Sequence, residues 1–139
     1  LRDDRFASLC VQHEHVPGET VKFLGEVQSA YPKKNWSSLM LLNCIRCKKL
    51  TVDYVNTATG LELHRFHWLE GDHEIGALDS GWNHLVDVQE APAASASDGG
   101  PRLLHWTLGG PWFRQQRTMG GVLAAEWFGA REDAMKFWE

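Results

Sequence analysis

Apolar and polar positions alternate along this chain in short blocks rather than in long periodic stretches. Phe6-Ala7-Ser8-Leu9-Cys10-Val11 is an apolar run closed by Gln12-His13-Glu14-His15 and Pro17-Gly18, the pattern of a buried strand running into a loop. After a mixed segment in which Tyr31-Pro32 holds the backbone extended, residues 36–43 are apolar on both faces beyond two serines, which predicts a central strand. Thr51 is placed to cap a helix from Val52 toward Thr59 with Gly60 as its terminator, and Leu61, Leu63, Phe66 and Leu69 predict further helical turns. Residues 70–74 read as a polar turn, and residues 75–78 and 82–86 are short apolar pieces between breakers, which fit short strands or loop. Residues 91–101 are small, polar and bounded by Gly and Pro, a solvated connection; residues 103–107 then predict a last strand, ending on Leu108-Gly109-Gly110-Pro111-Trp112. From residue 122 to 138 the apolar positions Leu123, Trp127, Ala130, Ala134 and Phe137/Trp138 recur at helical spacing, predicting a C-terminal amphipathic helix with Gly129 as its weak point. Helices alternating with buried strands favour an α/β architecture with a mixed sheet and flanking helices.

Composition narrows the class. With 139 residues, 43% hydrophobic and 23% charged, the chain reads as one domain over residues 1–139, large enough to bury a core without staples. Its 18 acidic and 14 basic residues give a net charge of −4, and the basic runs stop at Lys33-Lys34 and Lys48-Lys49, which argues against nucleic acid as partner. No apolar run approaches the ~20 residues of a membrane span. Three cysteines cannot all pair, and free thiols point to a reducing compartment, the cytoplasm.

Several constellations offer chemistry. Cys44-Ile45-Arg46-Cys47 is a C-x-x-C pair and Cys10 lies three residues before His13, so these four ligands could hold zinc in a small interaction module; alternatively the cysteines are strand and turn residues. His64 and His67 fall at i, i+3 without a metalloprotease signature, whereas His105 sits mid-strand between Leu104 and Trp106, where a polar group needs a partner. Gly109 and Gly110 let the backbone approach a ligand closely, with amides able to face an anion and Trp112 able to close over it; an ordinary tight turn with an aromatic plug fits equally. Seven tryptophans supply flat apolar surfaces suited to packing and to sugar faces alike, which leaves a non-catalytic carbohydrate-binding domain open.

Three segments in order resemble the C-terminal half of a nucleotide-sugar glycosyltransferase of the Rossmann-like GT-A fold, close to the glycogenin and lipopolysaccharide galactosyltransferase family. They are Asn35-Trp36-Ser37-Ser38-Leu39-Met40-Leu41-Leu42-Asn43, Leu78-Asp79-Ser80-Gly81-Trp82-Asn83 and His105-Trp106-Thr107-Leu108-Gly109-Gly110-Pro111-Trp112. The resemblance spans residues 1 to 115 and implies a partial GT-A domain whose nucleotide-binding half lies upstream. It implies transfer from a nucleotide sugar to a glycan or other hydroxyl acceptor, with manganese or magnesium offsetting charge on the leaving diphosphate. His105 is then a metal ligand, Gly109, Gly110 and Trp112 lie near the diphosphate, Asn35, Ser37 and Ser38 near the donor sugar, and Asp72 beside the reacting groups as the catalytic candidate. This chain departs from the family pattern in having Gly110 where the family has lysine, a spacing from His105 to Trp112 shorter by one, Trp36 and Ser38 at two donor-contact positions, and no Asp-x-Asp metal motif. The resemblance therefore implies an isolated chain without transferase activity, and a sheet edge left open to self-association.

Overall fold

The computed structural model describes residues 3–14, 27, 31–90, 100–118 and 121–138. Over these residues the protein is mixed α/β, with two small sheets and a few short helices. Strand β1 (Ser8–Cys10) forms within the predicted apolar run and is buried throughout. It pairs antiparallel with β2 (Leu41–Leu42), Ser8 opposite Leu42, and parallel with β3 (Ile75–Ala77), Ser8 opposite Ile75 and Cys10 opposite Ala77. The order is β2-β1-β3, so β1 is central and the strand predicted over residues 36–43 is corrected to a short edge strand. The cause is local: Asn35 takes a left-handed backbone (φ 67°) and starts a 3-10 turn over Trp36–Ser38, leaving Leu41 and Leu42 extended.

Gly76 sits opposite Leu9, and the side chains of Leu9 and Phe6 occupy the space where its Cβ would stand. The close approach of β1 to β3 therefore requires glycine.

The chain between β2 and β3 carries α1 (Val52–Thr57) and α2 (Gly60–His64). Thr51 caps α1 as expected, its Oγ1 accepting from the Tyr54 amide at 3.1 Å. Gly60 begins α2 instead of ending α1, because Thr59 builds a capping box: its hydroxyl accepts from the Glu62 amide at 3.3 Å, and the Glu62 carboxylate accepts from the Thr59 amide at 2.7 Å. Ala7, Cys10, Cys47, Phe66, Trp68 and Ile75 form the core against which both helices pack through Tyr54 and Leu63.

A second sheet follows. Asp79 accepts from the Gly81 amide at 3.0 Å and opens a 3-10 turn over Ser80–Asn83, which feeds β4 (His84–Leu85). Strand β4 pairs parallel with β5 (Leu104–His105), His84 opposite Leu104 and Leu85 opposite His105. Of the expected connection, residues 91–99 lie outside the described residues, as does the Pro17-Gly18 loop. The last helix, α3 (Val122–Met135), forms as expected, but its apolar face is covered only in its first half: Ala124 is buried and Leu123, Trp127 and Phe128 on the same face are half-buried, whereas Ala130 and Ala134 of the expected stripe are exposed. Phe137 and Trp138, beyond its end, are 87% and 86% exposed. Among the described residues no helix is long and apolar enough to cross a membrane.

Candidate functional site

Asn35, Ser38, Asn83 and His105 come from three separate segments into one polar cluster. Asn83 is its hub: the residue is fully buried at the end of the 3-10 turn before β4. Its Nδ2 donates to Ser38 Oγ at 2.8 Å and to the Asn35 carbonyl at 3.4 Å, while Ser38 Oγ donates to the same carbonyl at 2.6 Å. Asn83 Oδ1 lies 3.1 Å from His105 Nδ1; since that oxygen can only accept, the pairing places the proton on Nδ1. A buried amide used at both ends ties the turn at residues 35–38 to both strands of the second sheet.

One atom of the cluster is left over. Asn35 Nδ2 is buried without a hydrogen-bond partner among the described residues. An unmet buried donor costs about 1–3 kcal/mol. Asn35 also holds a left-handed backbone, a conformation that asparagine tolerates better than most non-glycine residues.

The remaining candidates lie around this cluster. Ser37 Oγ is 2.7 Å from His64 Nδ1, and the His64 ring stacks on Tyr31 with centroids 6.4 Å apart. The Asp72 carboxylate is exposed and paired with Lys33 Nζ at 2.5 Å, and the same ammonium donates to the Arg65 carbonyl at 3.3 Å. Gly109 takes φ 109°, and the space over it is held by the Gln116 side chain, whose Nε2 donates to the Leu108 carbonyl at 3.1 Å. The ring of Trp112 stands over Gly110 and packs against Trp106 and Trp127, with centroids 6.1 and 5.6 Å apart.

Two residues with central roles were not among the sequence-derived candidates. Asn83 is one; its signal is a single amide inside the apolar block of residues 82–86. Asp87 is the other: both its oxygens accept from Thr107 Oγ1 at 3.0 Å and one accepts from the Leu108 amide, fixing the segment after β5. Next to Asn83, His84 is buried with Nε2 unpartnered among the described residues, and that burial holds its pKa below 6.5.

The zinc module expected from Cys10, His13, Cys44 and Cys47 is corrected. Among the described residues no three His, Cys, Asp or Glu side chains are placed to hold one ion. Cys10 lies in the core, where burial pushes its thiol up to about 12, and Cys47 Sγ donates to the Ala7 carbonyl at 3.3 Å; Cys44 is exposed.

The fold and cluster together define a mixed α/β chain with a buried polar hub between its two sheets. The chain is similar to Protein CDI of Arabidopsis thaliana, with 47% identity over 119 residues, 81% of this chain; it spans 44% of that relative's length. No family model matches the sequence, and no solved structure matches the fold. These findings correct the expectation of a glycosyltransferase: the relative's name indicates no such enzyme, and nothing supports sugar transfer or the manganese attached to it. In the third resembling segment Gly110 stands where that family has the lysine that contacts the diphosphate.

Proposed function

We propose that the polar cluster binds a small molecule through an acceptor oxygen of a carboxylate or phosphate group. The observation that carries this reading is the Nδ2 of Asn35, without a partner among the described residues, a buried donor held on a left-handed backbone beside an otherwise satisfied network. A ligand oxygen would supply the missing acceptor once the cluster opens beside the exposed Ser38, since Asn35 Nδ2 is itself shielded from solvent in the closed arrangement. Asn83 acts behind the ligand, holding Asn35 and Ser38 in register with His105.

The test is thermal unfolding in sodium acetate, sodium phosphate and sodium chloride at matched ionic strength, on the wild type and on Asn35→Gly, which keeps the backbone conformation and removes the donor. An anion present at about 100 times its dissociation constant adds roughly 2.7 kcal/mol. The midpoint is expected to rise in acetate or phosphate for the wild type and not for Asn35→Gly. Equal rises in both proteins, the general salting-out response, would overturn the reading. Asn83→Ala separates support from contact: it is expected to lose about 1–3 kcal/mol of stability in every salt.

A further inference from the structure

Cys44 and Cys47 lie on one tight turn. The Asn43 carbonyl accepts from the Arg46 amide at 2.9 Å and from the Cys47 amide at 3.1 Å, so residues 43–47 make a single helical turn directly after β2. In such a turn, side chains three apart have Cβ atoms about 5–6 Å apart, against about 3.5–4.5 Å in a disulfide. A tightening of about 1–2 Å would therefore bridge them. Their environments differ. Cys44 is exposed and lines a 310 Å³ cleft with Asp3, Asp4, Leu9 and Leu41, whereas Cys47 is buried against β1 with its thiol donating to the Ala7 carbonyl. That carbonyl also accepts from the Asn43 amide at 2.9 Å, so it keeps a partner if the thiol turns away.

We propose that Cys44 and Cys47 form a reversible redox pair that takes a small-molecule disulfide in the cleft beside β2. The Cys44 thiolate attacks one sulfur of the small disulfide, forming a mixed disulfide and releasing the first small thiolate. The Cys47 sulfur then attacks the Cys44 sulfur; the bond to the second small thiolate breaks, and the Cys47 proton leaves with that thiolate. Two protein thiols are oxidised and one small disulfide is reduced to two thiols. The second step is the slow one, because burial, with the nearby charge of Glu74, pushes the Cys47 thiol up.

The probe is cystamine, a small symmetric disulfide. The folded protein is incubated with it, and free thiols and intact mass are followed with time. The wild type is expected to fall from three free thiols to one, ending at a mass two hydrogens lighter with no cysteamine attached, and to return on addition of dithiothreitol. Cys47→Ser is expected to stop at a stable cysteamine adduct, Cys44→Ser to keep its thiols, and Cys10→Ser to close as the wild type does. Closure in the wild type is expected to accelerate as pH rises. A wild type that stops at the adduct, one that keeps three thiols, or a Cys10→Ser protein that fails to close would each overturn the pair. An oxidised protein without a cooperative melt would do the same, since the turn can close without loss of β1 only if the Ala7 carbonyl stays bonded.

Discussion

Asn83 and His84 are adjacent in sequence and meet burial in opposite ways. Asn83 turns its amide into a junction for two turns and a strand, with partners at both ends. His84 is buried with one ring nitrogen unmet among the described residues, and burial disfavours its charged form. The sign of the pH dependence follows from that depressed pKa. As pH falls through about 6.5 the unfolded chain takes up a proton at His84 while the folded chain does not, so stability falls; it levels off only below the folded pKa, where both forms are protonated. Denaturant unfolding at about pH 7 and about pH 5 is expected to show a larger loss for the wild type than for His84→Gln, which cannot titrate. Equal losses in the two proteins would place the pH sensitivity in other groups.

At the scale of elements, the parallel pair β1–β3 depends on one missing side chain. A methyl group at position 76 must displace Leu9 and Phe6, both packed where it would stand. Gly76→Ala is therefore expected to cost about 1–3 kcal/mol by overpacking, read as a lower midpoint in denaturant with an unchanged slope. A neutral result would mean that Phe6 swings out freely. How far such elements could be read from the sequence depended on whether their cause is local. The Thr51 cap was legible because its partner lies three residues away. The box at Thr59-Gly60-Leu61-Glu62 was equally local, yet Gly60 reads as a stop until the Thr59–Glu62 pair is recognised as a start. The edge strand was not legible: its length is set by the left-handed turn at Asn35, and its place by pairing across more than thirty residues. Of the site, Asn35, Ser38 and His105 were singled out from the sequence, but the residue joining them was not. Their convergence is a product of tertiary packing, and no spacing encodes it.

For the whole molecule, the arrangement β2-β1-β3 leaves β2 with its outer edge unpaired by any described strand. Beside that edge Leu41 is 42% exposed and Ile45 82% exposed, so apolar side chains accompany the free backbone groups. An edge of this kind is a template for pairing with another chain, and the net charge of −4 spread over 139 residues opposes that only weakly at physiological salt. A second apolar surface, Phe137 and Trp138 after α3, competes as the contact. Sedimentation velocity across a dilution series separates the two. The weight-average sedimentation coefficient is expected to rise with concentration, and Leu41→Lys with Ile45→Lys is expected to abolish the rise by placing charge along the edge. Phe137→Ser with Trp138→Ser is expected to leave it in place. The reverse pattern would move the contact to the C-terminal aromatics, and a monomer at every concentration would mean that the two-residue length of β2 already suffices to keep the edge from pairing.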